Sequence, residues 1–517
     1  MRYYFLPLLF VTLICCKEQN ASSEAPYEDP TNNTIDRLED GEQLSKIYCA
    51  ACHQYPEPSL LDKATWDRFV LPRMGYMYGI YTHAAEREAL FEANEGGARV
   101  RESGLFPEER RIDSVQWEAI QDYYLTNAPE RLALPKRKPI HKSLTQFNLN
   151  IPNQKVKIPS TTMASFSSKG TIYLGDAHTK SFSVFSSQLS LLQTGTVQEG
   201  AVWLVESPTA YWLTVMGSFA PTDAPLGGIA RLSKEAGQKS SVPIRNLQRP
   251  VHMDMADVNK DGKQDLVVCE FGKWTGALSL FLQAADGTFQ KKVLHPVPGA
   301  IKSYFRDMNG DGHMDIVALF AQGNEGVDIF YNDGNANFTR KRILQFSPSF
   351  GGSFMKLIDY NNDGHLDILL TAGDNADYRP LMKPWHGVYL FLNQGNAQFE
   401  ETLFLHLNGA YNAVAEDFDA DGDIDIAAIS FFPDWENTPE ESFVYFENTP
   451  GGYEPQTFPE VTMGRWVVMD AFDYDFDGDV DLILGSLAFE VVPKLGFVEK
   501  WIKGGVPFVV LENTQNR

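Results

Sequence analysis

The chain has 517 residues, 43% of them hydrophobic, and a formal charge of −24. That length supports two to four domains with a large buried core. The acidic balance argues against a nucleic-acid partner, whose phosphates it would repel.

The first sixteen residues read as an export signal. Arg2 supplies a positive start, Tyr3 to Ile14 form an apolar run, and Leu13-Ile14-Cys15-Cys16 is similar to a bacterial lipobox with Cys16 as the lipidated residue. The run is shorter than the roughly 20 apolar residues that span a bilayer. An ordinary cleaved signal peptide is the alternative. Residues 17–40, rich in Asn, Ser, Glu and Pro, read as a solvated tether. Together these place the folded part outside the cytoplasm and lipid-anchored in a bacterial envelope membrane. Lys17 and Glu18 favour the outer membrane, with the periplasmic or exterior face left open.

Cys49-Ala50-Ala51-Cys52-His53 carries two thiols and an imidazole at the spacing of covalent c-type haem attachment. Each thiol can add across a vinyl group, and His53 is placed to fill the proximal iron position. A zinc site would need a second ligand pair, and the remaining cysteines are Cys15, Cys16 and Cys269. Cys269, in an apolar strand, is expected as a buried free thiol. Helical spacing of Leu44, Ile47 and Tyr48, and of Ile112, Trp117, Ile120 and Tyr124, predicts two amphipathic helices flanking the motif. Over residues 41–132 this resembles the class I cytochrome c fold, a small all-α domain with one covalent haem c. The resemblance implies a distal methionine. Met74, after Pro72 in an expected loop, is the first choice, with Met77 and His83 as alternatives.

Residues 133–158, basic at first and containing Pro135 and Pro139, read as a linker. The stretch 159–517 is expected to be all β. From residue 257 an internal repeat begins: Asp257, Asn259, Asp261 and Asp265; Asp307, Asn309, Asp311 and Asp315; Asp359, Asn361, Asp363 and Asp367; Asp417, Asp419, Asp421 and Asp425; Asp473, Asp475, Asp477 and Asp481. Successive copies start 50, 52, 58 and 56 residues apart. Oxygens at positions 1, 3, 5 and 9, with glycine at position 6 for the sharp turn, suit calcium, about five ions in all. Each copy runs into an apolar β segment such as Leu266-Val267-Val268, which separates these loops from EF-hands. A period near 50 with several strands per unit predicts a β-propeller. Residues 159–250 add room for two blades without a calcium loop, giving seven, with six or eight left open.

The loops resemble FG-GAP/VCBS repeats, known from integrin α-subunit propellers, and the whole chain resembles bacterial lipoproteins that join a cytochrome c domain to such repeats. The resemblance implies that the twenty loop residues are the calcium ligands. The composite points to electron transfer, with the propeller docking a redox partner protein or binding a small polar substrate. A haem-linked dehydrogenase acting on a sugar or alcohol is the enzymatic alternative, and a glycan or surface recognition module the non-redox one. No dinucleotide-binding glycine pattern follows a strand. Two segments, 373–387 with Asp374, Asp377, Tyr378, Lys383, Trp385 and His386, and 431–435 with Phe431, Phe432, Asp434 and Trp435, should emerge on one propeller face as candidate ligand loops. Catalytic residues are not identifiable; His252 and His386 read as hydrogen-bonded structure.

Overall fold

The computed structural model describes residues 32–235, 240–375, 380–488 and 494–515. The signal segment with Cys16, most of the tether, and Asp377 and Tyr378 lie outside the described residues. No helix among the described residues is long and apolar enough to cross a membrane.

A small helical region comes first. Its opening helix, Asn32–Tyr48, begins inside the stretch read as tether. The closing helix, Ser114–Asn127, starts at a capping box: the Asp113 carboxylate accepts from Val115 N at 2.8 Å, and Gln116 Oε1 accepts from Asp113 N at 3.4 Å. These two helices cross at Gly41, where a Cβ would stand 2.3 Å from the Ala119 carbonyl oxygen, so only glycine permits the approach. Between them lie a π-helical turn, Trp66–Val70, and the helices Leu71–Met77 and Glu95–Ser103. Met74 is therefore helical rather than in a loop. Pro72 falls in the first turn of its helix, where a missing N–H costs little. Trp66, Leu71, Ile112, Trp117, Ile120 and Tyr124 form the core.

Seven four-stranded antiparallel sheets follow, the blades of a β-propeller. Blades one and two occupy 161–196 and 201–247, blades three to six run from 250 to 456, and blade seven contains Trp466–Phe472, Asp481–Ser486 and Phe508–Asn513. The fourth strand of blade seven is Phe147–Asn150, paired antiparallel with Phe508–Asn513. The 133–158 stretch is thus no free linker. It closes the ring, and the residues before the strand run along blade six: His141 bridges Gln456, Lys138 pairs with Glu454 at 2.7 Å, and Arg137 pairs with Glu441. The composition that suggested a linker reflects a lone edge segment whose partners are some three hundred residues away.

The second strand of blades three to seven is buried along its whole length, as in Asp265–Glu270 and Ile316 to Phe320. Each is sandwiched between neighbouring blades, which explains the unbroken Leu/Val/Ile runs. The first, innermost strand of every blade carries one register shift after its first residue, for example between Pro250 and His252 and between Ala300 and Lys302. This shared bulge aligns the blades residue by residue around the axis.

Candidate functional site

Antiparallel strands alternate ends, so turns joining first to second strands emerge on one propeller face and turns joining second to third strands on the other. The five acidic repeats lie on the first face. In each, the position-1 carboxylate accepts from the amides of positions 5 and 6: Asp257 from Asp261 and Gly262 at 3.0 and 2.8 Å, and Asp473 from Asp477 and Gly478 at 3.1 Å each. Asp307, Asp359 and Asp417 repeat the pattern. The position-6 glycines 262, 312, 364, 422 and 478 all have positive φ, from 81° to 98°, which a Cβ would disfavour.

The position-9 aspartate is fully buried in every copy. Its oxygens accept one amide from the loop and one from the end of the third strand or its equivalent. Asp265 takes Val258 N and Gln283 N, Asp315 takes Met308 N and Asn332 N, Asp367 takes Tyr360 N and Asn393 N, and Asp481 takes Tyr474 N and Asn513 N. Asp425 takes Asn448 N and the Tyr445 hydroxyl. Burial raises the pKa of all five, and neighbouring loop carboxylates add to the rise; Asp425 reaches about 6 and Asp481 about 7. Oxygens of Asp417, Asp419 and Asp421, and of Asp473, Asp475 and Asp481, lie within 4.8 Å of one another. Carboxylates crowded in this way are the donor set of a hard divalent ion. In the other three loops an asparagine replaces the position-3 carboxylate, which lowers the charge but keeps an oxygen there.

In the helical region, Cys49 and Ala51 bound a 3-10 turn that continues the first helix, so the 49–53 motif sits at that helix's C-terminal end. Cys49 and Cys52 are both free thiols, Cys49 partly buried and Cys52 exposed. Burial pushes the Cys49 thiol up to about 11 and lowers the pKa of the His53 imidazole. His53 Nδ1 lies 2.8 Å from the Gln54 carbonyl oxygen. A carbonyl only accepts, so Nδ1 carries the proton and Nε2 keeps its lone pair for a metal. Cys49 and Met74 pack against one apolar core. His83 Nδ1 instead accepts from Glu86 N at 3.2 Å, capping the next helix. The Cys49 and Cys52 thiols and the His53 imidazole at the helix end, with the Met74 thioether on the core that Cys49 also packs against, are the residues that would hold a haem.

The two candidate ligand loops behave differently from expectation. Phe431, Phe432, Trp435, Lys383 and His386 are buried, and Trp385 is half-buried with its Nε1 donating to the Ser349 carbonyl at 3.1 Å. Trp435 packs on Trp501 with centroids 5.1 Å apart. The segments do meet, around a recess of about 320 Å³ lined by Pro380, Met382, Phe432 and Asp434 among others. Their aromatic rings mainly fill space between blades.

Sequence reasoning missed what this second face does. The helical region docks there. The Glu92 carboxylate accepts from Thr222 Oγ1 at 2.5 Å and Asp223 N at 3.2 Å, and pairs with Lys273 at 3.4 Å. Trp274 meets Phe106 edge-on at 5.1 Å, with Arg73 over its ring at 5.9 Å. Asp223 Oδ1 in turn fixes Trp274 and Thr275 through their amides at 2.9 and 2.7 Å. Leu381 of blade five packs against the helical core. Trp274 in a second-to-third-strand turn was the available signal, since it follows its strand much as Trp435 does.

A model of the FG-GAP-like repeat matches residues 257–318 and 307–370. The chain is a seven-bladed β-propeller with FG-GAP-like repeats and an N-terminal helical region. No curated protein matches it. Among solved structures it is similar to virginiamycin B lyase from Staphylococcus aureus, at 13% identity over 71% of this chain and 99% of that one, TM-score 0.44. A putative 6-phosphogluconolactonase from Bacteroides fragilis gives 13% identity over 62% and 92%, TM-score 0.41. Sqt1 from Saccharomyces cerevisiae gives 10% over 68% and 83%, TM-score 0.40.

Proposed function

We propose that this protein is an extracytoplasmic electron carrier in which a haem c held by the helical region serves a partner recognised together with a calcium-braced propeller. Cys49 and Cys52 would provide the thioether links, His53 the proximal ligand and Met74 the distal one. Bound there, the haem would supply a one-electron couple, raised in potential by a thioether ligand. The observation that carries the reading is the conjunction at one helix end of two free thiols and an imidazole whose Nε2 is left as the unprotonated nitrogen. A propeller is consistent with a ligand- or partner-binding module, and oxygens at loop positions 1, 3, 5 and 9 support calcium there. Lipidation at Cys16 would hold the assembly to an envelope membrane.

The test is expression with its leader in a bacterium able to mature c-type cytochromes. Intact mass should rise by one haem, and the alkaline pyridine spectrum should be that of two thioether links. Cys49→Ala with Cys52→Ala should abolish both signals while leaving the propeller folded. Recovery of exported polypeptide with both thiols unmodified overturns the reading. Met74→Ala should alter the reduced spectrum; an unchanged one transfers the distal role to Met77.

A further inference from the structure

The shared bulge defines a rung around the propeller axis, formed by the residue that follows it in each innermost strand: Met163, Trp203, His252, Lys302, Phe354, Asn412 and Val468. Four consecutive blades place polar and aromatic groups in contact there. The Lys302 amine stands 3.3 Å from the Trp203 ring centroid and 4.8 Å from that of Phe354, and the Trp203 and His252 rings are 4.3 Å apart. Lys302 is 5% exposed and His252 is 1% exposed.

The hydrogen bonds of this rung do not balance. His252 Nδ1 accepts from Ser303 N at 3.3 Å, so its proton is on Nε2, and that buried N–H has no acceptor. Trp203 Nε1–H is likewise buried and unmatched. Among the described residues, rings rather than hydrogen-bond acceptors meet the Lys302 amine. Asn412 spends Nδ2 on the Met469 carbonyl and keeps one unmatched oxygen. Two buried N–H donors therefore lack an acceptor beside the ring-packed Lys302 amine, a desolvation penalty if nothing fills the role.

We propose that the propeller axis is a binding site for a small carboxylate anion, held by the Lys302 ammonium with the Trp203 and His252 N–H groups. A carboxylate offers the acceptor capacity that the rung lacks, and it neutralises a buried ammonium, which a water molecule cannot do. The carboxylates of the next rung are already engaged. Asp254 accepts from Met255 N and Phe305 N at 2.9 Å each, and Asp470 accepts from Phe166 N at 2.9 Å. Lys356, on that rung too, opposes their charge on the axis, and the buried Cys269 thiol near Lys302 is protonated at neutral pH, its pKa pushed up to about 12. Solvent reaches the axis: Trp203, Tyr304, Phe354, Lys356 and Asp470 keep partial exposure although they stand on innermost strands. Burial pulls the Lys302 amine down to about 7, so at neutral pH an arriving anion should draw a proton onto it.

The experiment is calorimetric titration of the full chain with formate and with acetate, in two buffers of different ionisation enthalpy, alongside tryptophan fluorescence. Expected are saturable one-to-one binding, proton uptake, and a loss of affinity on the order of tenfold or more in Lys302→Met. Lys302→Arg should keep binding with little proton uptake, because guanidinium stays charged. It also serves as the control if the methionine variant misfolds. Absence of saturation with either anion in the wild type, or equal affinity in Lys302→Met, overturns the proposal and leaves ordered water as the occupant.

Discussion

The two faces of the propeller are built on opposite principles. On the acidic face five turns repeat one hydrogen-bond scheme, and even blades one and two close their corresponding turns with a single serine, Ser167 or Ser207. On the other face the connections range from the short turn at 177–180 to the long excursion between Ser486 and Phe508, and they carry the helical region. The first face is specified locally, each loop by its own carboxylates. The second is specified by what packs on it. Local changes on the acidic face should therefore cost stability of the ring, and changes on the docking face should cost the association of two regions.

The largest effect is expected from Asp481→Ala. It strips acceptors from Tyr474 N and Asn513 N, both buried, in the blade that closes the ring, for a loss on the order of 4 kcal/mol. Chemical denaturation should show it as one cooperative shift of the propeller transition; a change below about 1 kcal/mol would show that the closure tolerates open amides. Calcium comes next. At a hundredfold excess over its dissociation constant, one bound ion adds about 2.7 kcal/mol, so the melting temperature should climb with calcium and fall with chelator. A melting temperature indifferent to both would break the contrast between the faces.

On the docking face, Glu92→Ala should cost on the order of 1 kcal/mol, removing the acceptor shared by Thr222, Asp223 and Lys273. Hydrogen exchange should accelerate in 84–106 and 216–226 while the blade strands keep their protection. Equal acceleration in the blades would mean that the two regions unfold as one. Acidification gives the smallest effect near neutrality. Burial lowers His406 to about 4, and His252 and His386 also lie below the usual imidazole range. Neutral in the fold and protonated when unfolded, they stabilise above about pH 6.5 and that contribution fades as pH falls toward 4. For His406 alone the loss is about 1 kcal/mol by pH 6. His406→Gln should flatten that part of the stability profile; a slope unchanged by the substitution assigns the acid sensitivity elsewhere.

What the sequence disclosed follows the same division. The acidic loops were legible because position 1, position 6 and position 9 each have one job that few residue types perform, and the job recurs at a near-constant interval. The blade count followed from that interval. The closing strand Phe147–Asn150 was not legible: four residues cannot announce a partner that lies some 360 positions later. Glu92 and Asp223 look like any surface carboxylates until the fold brings them together. Trp203 and Lys302 escaped notice, and His252 was read only as hydrogen-bonded structure, because their shared place depends on the bulge, which shifts register without leaving a compositional mark. Trp435 and His386 misled in the other direction, since aromatic and imidazole side chains serve burial as readily as recognition.

Ring closure by an early segment also sets a chronology. Residues 32–127 leave the ribosome hundreds of residues before Phe508–Asn513, so the helical region can collapse while blade seven still lacks its central strands. The last strand then acts as a latch, committing the segment 137–150 to blades six and seven and fixing the bundle's lead to the wheel.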